Sequence, residues 1–235
     1  MINNRAIVNR INIKEDIADD SFWFFLTVIY LIIEYGRPMD TIHGLGLLRP
    51  GMIVTILLAL SWILRGNIAQ AKSRQTRMIA LFIILLTVHI PFASNNRYAY
   101  NQTIGILLYM PFFFSAIIYI NSFERLKKFF NIWILLMVYI AIKGILGKGV
   151  GGSSFLADEN DFSLLMNMML PFGYFLFMYE NDFKMKIFYL SSSLLAVVSV
   201  VASSSRGGFV GLLVVLLIIW LFSPKKVTAL ILVGL

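Results

Sequence analysis

Ser203-Ser204-Ser205-Arg206-Gly207-Gly208-Phe209 interrupts an apolar stretch that otherwise runs unbroken from Ile187 to Phe222. At about 1.5 Å of rise per residue, one helix over that whole stretch would reach roughly 54 Å, against a hydrocarbon core of roughly 30 Å. The chain must therefore turn back where the apolar run is weakest, at Ser203 to Gly208. Ile187–Ala202 and Phe209–Phe222 are left as the bodies of two successive spans. A cation is thereby held at a membrane boundary, beside two glycines that bare the backbone N–H groups opening the second helix. Such a cluster is chemically an anion site.

The composition agrees with lipid surroundings. Hydrophobic residues make up 59% of the 235, the mean hydropathy is +0.83 and only 14% of residues are charged, where a soluble domain carries about 25%. The fold class expected is all-α, a polytopic integral membrane helical bundle. Without cysteine, disulfides and thiolate metal sites are excluded. The formal charge of +8 raises nucleic acid or anionic lipid as partners, but the basic residues are scattered through short loops. They read as topology signals, with no nucleic-acid partner and with the lipid bilayer as surroundings. Arg5, Arg10 and Lys14 at the N-terminus are mixed with Glu15, Asp16, Asp19 and Asp20, and no small-residue cleavage site follows the first apolar run. A cleaved signal peptide is not expected. No solenoid-period repeat, low-complexity tract or second soluble domain is visible.

Apolar runs at 22–36, 45–64, 78–94, 103–121, 129–147, 162–179, 187–204 and 207–222 predict about eight complete transmembrane helices. A partial ninth starts at Val227, and the expectation is of a chain incomplete at its C-terminus. Residues 1–21 form an N-terminal segment and 22–235 the transmembrane domain. The positive-inside rule puts the N-terminus, the 65–77 and 122–128 loops, Lys184 with Lys186 and Lys225 with Lys226 in the cytoplasm. These hold fourteen of the twenty Lys and Arg residues. Arg37, Arg49, Arg97, Lys143, Lys148 and Arg206 fall on the other face. The chemically unusual stretches emerge there too: Glu34 to Pro38, Asn95 to Tyr98, Gly147 to Asp161 and the Arg206 turn.

Each candidate has a bland reading beside its sharp one. Arg206 is either an interfacial anchor whose guanidinium reaches water or a bidentate ligand for phosphate oxygens. The serine run, the two glycines and the helix start favour the second. Gly147 to Ser154 lacks the spacing and the Lys-Ser/Thr ending of a phosphate loop and reads as a flexible outer loop. In Asp158-Glu159-Asn160-Asp161, Asn160 or Asp161 caps the next helix, or one carboxylate contacts a substrate hydroxyl. Pro171 is expected to kink that helix. His43 and His89 lack metal-ligand spacing. Tyr98 and Tyr100 are candidates for lining a sugar path, and Lys143 either reaches the interface or joins a cationic pocket.

Asp158-Glu159-Asn160-Asp161-Phe162 leading into Leu170-Pro171, followed by Ser203-Ser204-Ser205-Arg206-Gly207-Gly208, resembles the O-antigen ligase family of bacterial membrane proteins. That family includes Wzy-type polymerases and protein O-oligosaccharyltransferases, and the likeness covers about 155–222. Glu34-Tyr35-Gly36-Arg37-Pro38 more faintly resembles an exopolysaccharide- and exosortase-associated subgroup. The resemblance implies a multi-pass protein of the bacterial inner membrane that transfers a glycan from undecaprenyl pyrophosphate to an acceptor hydroxyl on the periplasmic face, without a metal or other cofactor. The acceptor would be a glycan, a lipid or a protein. Arg206 would hold the leaving pyrophosphate and Asp161 would act with it as a catalytic residue. Asn160, Ser205, Gly207, Gly208, Arg37 and Arg97 would bind substrate. The family also carries a large periplasmic loop beyond the next spans with a further arginine and a histidine, so if the 235 residues are the whole protein it is expected to be inactive alone. Two other readings stand beside this one: a transporter or flippase of lipid-linked sugars, and a non-catalytic membrane assembly partner.

Overall fold

The computed structural model describes residues 4–42, 44–65, 74–147, 156–224 and 226, with side chains from residue 20 onward apart from Thr41 and Arg65. His43, Lys148 with the glycine-rich stretch to Ser154, Lys225 and the apolar run from Val227 lie outside the described residues, as do the side chains of Arg5, Arg10 and Lys14. The described chain is all helix, turn and irregular backbone, with no strand.

Among the described residues ten α-helices follow one another: α1 Asn4–Gly36, α2 Pro38–Thr41, α3 Pro50–Arg65, α4 Arg74–His89, α5 Asn96–Leu108, α6 Met110–Tyr119, α7 Phe123–Leu146, α8 Glu159–Tyr179, α9 Phe183–Ala202 and α10 Arg206–Phe222. Short 3-10 turns, Leu45–Leu48 and Ile90–Phe92, precede α3 and follow α4. The boundaries fall where short polar side chains meet apolar runs. Asn95 accepts from the Tyr98 N–H at 3.0 Å, Asp182 from Met185 at 2.9 Å and Ser205 from Gly208 at 2.9 Å. Each such cap is worth about 1 kcal/mol. Pro38 and Pro50 open their helices, because a residue without an N–H loses nothing in the first turn.

Among the described residues, six helical segments are long and apolar enough to cross a membrane: Leu45–Leu64, Arg74–Phe92, Asn96–Tyr119, Phe123–Leu146, Glu159–Tyr179 and Phe183–Ala202. The expected eight are thus met in part. The run at 22–36 is helical but forms the end of the 33-residue α1, which continues through the boundary expected at residue 21 without a break. The run at 207–222 is helical too, but at 17 residues α10 is shorter than the other six. The last turnaround is also tighter than the composition suggested. Only Ser203 to Ser205 lie between α9 and α10, so Gly207 and Gly208 are the second and third residues of a helix rather than part of a loop.

The chain divides into two compact units, Met1–Phe129 and Phe130–Leu235. In the first, α1, α3 and α6 pack together around Leu26, Tyr30, Ile33, Val54 and Leu58, with Trp23, Ile29, Met39 and Phe112 against that cluster. Arg125 ties the start of α7 to it by donating to the Tyr119 carbonyl at 3.1 Å and to Ser21 Oγ at 3.2 Å. α4 packs on α5 and buries no side chain completely.

In the second unit α8 is the central element, with α9 along one side and α10 on another. Its buried residues include Phe162, Met166, Met169, Leu170 and Tyr174. α8 runs on past Pro171 to Tyr179, although that proline removes the N–H which the Asn167 carbonyl would take in a regular turn. Three serines of α9 are satisfied by its own backbone: Ser192, Ser193 and Ser199 each donate to the carbonyl one turn back, at 2.7, 2.9 and 2.7 Å. That is how a serine-rich helix tolerates an apolar environment. Tyr174 and Ser223 share a hydrogen bond between α8 and the end of α10, and the Tyr189 hydroxyl donates to Asn131 Oδ1 of α7.

Candidate functional site

The two polar stretches of the second unit, 45 residues apart, meet at the start of α10. Ser205 Oγ donates to Asn160 Oδ1 at 2.6 Å and accepts from the Gly208 N–H at 2.9 Å, so one buried hydroxyl both caps α10 and joins it to the first turn of α8. One turn behind, Ser203 Oγ donates to the Val200 carbonyl at 2.7 Å and accepts from the Ser205 N–H at 3.2 Å. Between them Ser204 takes a left-handed backbone at φ 56°. A residue with a Cβ adopts that conformation at a cost of about 1 kcal/mol, and here it lets the chain reverse within three residues.

A second contact lies two helical turns along α8. Asn167 Nδ2 donates to the Gly208 carbonyl at 2.9 Å, while its Oδ1 is buried with no hydrogen-bond partner among the described residues. Asn160, Ser163 and Asn167 therefore form one stripe on α8, at the i, i+3, i+7 spacing of a helix face, and α10 lies on that stripe. Sequence reasoning missed Ser163 and Asn167. The signal was present as polar residues at helical spacing in an otherwise apolar run. The close approach explains Gly208: a Cβ there would lie 2.2 Å from Ser163 Oγ. At Gly207 it would meet nothing nearer than Asn160 Oδ1 at 3.6 Å.

The arrangement turns Arg206 outward. It is the first residue of α10, its side chain is exposed, and it has no hydrogen bond or ion pair among the described residues. Of the N–H groups that open α10, Gly208's is taken by Ser205, while those of Arg206 and Gly207 have no partner among the described residues. A guanidinium and two backbone donors at the positive end of a helix can together receive an anion. Asp161, in the first turn of α8, is also exposed and forms no ion pair with Arg206. The cap of α8 is neither Asn160 nor Asp161 but Asp158, whose Oδ1 accepts from the Asn160 N–H at 2.6 Å. The Asn160 side chain is thereby left for Ser205, and Asp161 is left facing solvent.

Asn160, Asp161, Ser205, Arg206, Gly207 and Gly208 thus share one unit, whereas Arg37 and Arg97 belong to the other and are described there. Arg37 links α1 to α2 with a left-handed backbone at φ 44°, and its Nε pairs with Asp40 Oδ2 at 2.9 Å. Arg97 is exposed in the first turn of α5. Beside that turn lies a cavity of about 440 Å³ whose lining includes His89, Ser94, Asn95, Tyr98 and Gln102, but not Arg97 or Tyr100. Lys143 is exposed with its Nζ 4.7 Å from the Tyr139 ring centroid. Set against protein-family models, curated proteins and solved structures, the chain matches none.

Proposed function

We propose that this chain is a bacterial inner-membrane glycosyltransferase that moves a glycan from undecaprenyl pyrophosphate to an acceptor hydroxyl at the periplasmic face. The observation that carries the reading is the exposed Arg206 guanidinium, set beside two open N–H groups on a turn that Asn160 braces from below. In the reaction the acceptor oxygen bonds to the anomeric carbon and the bond from that carbon to the pyrophosphate oxygen breaks. The electron pair leaves with the phosphate. Arg206 and the N–H groups of Arg206 and Gly207 meet the charge that develops there, where a fixed donor is worth most. Asp161 is the carboxylate within the same motif that accepts a hydrogen bond from the acceptor hydroxyl and takes its proton as the new bond forms. The acceptor is a glycan, a lipid or a protein.

The test is reconstitution of the protein, with whatever chain follows residue 235 in the cell, in vesicles holding undecaprenyl-pyrophosphate glycan and an acceptor. Product formation is expected. Arg206→Ala is expected to lower turnover by about 100-fold or more, the usual loss for a donor to a developing oxyanion. Arg206→Lys should rescue poorly, because a point charge does not reproduce bidentate pairing. An alanine variant with full turnover removes Arg206 from the mechanism, and glycan crossing the bilayer without product replaces transfer by transport.

A further inference from the structure

A second set of polar groups lies in the first unit, beside the Tyr30 part of its apolar core. A cavity of about 350 Å³ opens between α1, α3 and α5, lined by Glu34, Tyr30, Thr55, Met52, Gly105 and Tyr109 among others. Glu34 is partly buried and has no ion pair among the described residues. A carboxylate taken partly out of water is costly unless it is paired.

The hydrogen bonds within the lining define what is missing. The Tyr109 hydroxyl donates to Glu34 Oε1 at 3.0 Å, which leaves the tyrosine oxygen as an acceptor. The Thr55 hydroxyl donates to the Gly51 carbonyl at 2.8 Å, which leaves its oxygen as an acceptor as well. An ionised carboxylate is an acceptor throughout. The cavity thus presents three acceptor oxygens and one negative charge, with no Lys, Arg or His in its lining. The Tyr30 hydroxyl, the other donor in the lining, is hydrogen-bonded to Thr55, and the charge of Glu34 repels an anion. A donor-rich cation satisfies all three oxygens, and the Tyr109 ring adds a π-face that favours positive charge. The volume is at the lower end of the range for small-molecule sites, roughly 300 to 1,000 Å³, and a bare metal ion would leave most of it empty. Among the described residues no group of acidic, His or Cys side chains is placed to hold a metal.

We propose that this cavity binds an organic ammonium group, with Glu34 as its counter-ion and Tyr109 and Thr55 as hydrogen-bond acceptors. The group belongs either to a soluble amine or to an amine-bearing phospholipid head, and two arms of one experiment separate them. In phosphatidylglycerol nanodiscs the full-length protein is titrated with ethylammonium chloride and, as the neutral comparison, ethylene glycol. In a second arm, protein from mixed vesicles is examined by native mass spectrometry for retained phosphatidylethanolamine over phosphatidylglycerol. Binding in at least one arm is expected, with a loss on the order of tenfold or more in Glu34→Gln. Gly105→Leu should block it as well. A Cβ at Gly105 meets nothing within 4 Å, so the larger side chain enters open space. Helix content and melting temperature are followed in both variants, and the isosteric Glu34→Gln keeps the test valid even if the leucine variant misfolds. Ammonium binding unchanged in Glu34→Gln, equal binding of ethylene glycol, or no ammonium bound in either arm overturns the proposal. Glycan transfer is not the readout, so the outcome is independent of the function proposed above.

Discussion

Gly207 and Gly208 are neighbours with opposite tolerances. An added methyl at position 208 would collide with Ser163 at 2.2 to 2.4 Å, whereas at 207 its nearest neighbour is 3.6 Å away. Gly208→Ala should therefore push α10 off α8 and lower stability by about 1 to 3 kcal/mol, seen as a reduced melting temperature in detergent. Gly207→Ala should leave folding within about 0.5 kcal/mol, so any loss of transfer in that variant would come from the approach of substrate to the helix start. Ser204 gives the converse case: at φ 56° a glycine fits better, and Ser204→Gly should raise stability by about 1 kcal/mol. In the sequence the two glycines look alike, and both were read as exposing N–H groups. What separates them is Ser163, more than forty residues earlier, and no local pattern carries that contact.

At the level of elements, the turn between α9 and α10 is legible from composition because three serines, an arginine and two glycines cannot continue an apolar span. That it rests on α8 is not, since Asn160 and Ser205 are linked only by packing. A double-mutant cycle tests the link: Asn160→Ala and Ser205→Ala should show a coupling of about 0.5 to 3 kcal/mol in thermal stability, while additive losses would mean the two side chains act separately. Other boundaries were partly readable. Pro91 and Pro111 stand in the first turn of the elements they open, inside the runs 78–94 and 103–121 that read as continuous in the sequence. The cap of α8 was placed two or three residues late, because Asp158, Asn160 and Asp161 are all plausible caps and only the backbone chooses among them. The Glu34 and Tyr109 pair escaped notice because its halves lie 75 residues apart.

For the molecule as a whole, hydrophobic content and run length were enough to place it among all-α membrane proteins. Of the eight spans expected, six are matched among the described residues by helices of sufficient length and apolarity, while the run at 22–36 belongs to a helix that extends into polar sequence. Which side of the membrane each loop faces rests on charge counting, and the absence of cysteine makes that testable without background. A cysteine at Ser204 should react with a membrane-impermeant maleimide added outside intact spheroplasts, and one at Phe123 only after lysis. The reverse pattern would put Arg206 in the cytosol and end the proposed chemistry.

α10 is latched to α8 at two points, Asn160 to Ser205 and Asn167 to Gly208. The interval between those asparagines is therefore a ruler. One residue inserted into it would rotate one latch away from the other by about 100°, so that only one could close at a time. The distance from Asn160 to Asn167 should then tolerate substitution far better than it tolerates a change in length.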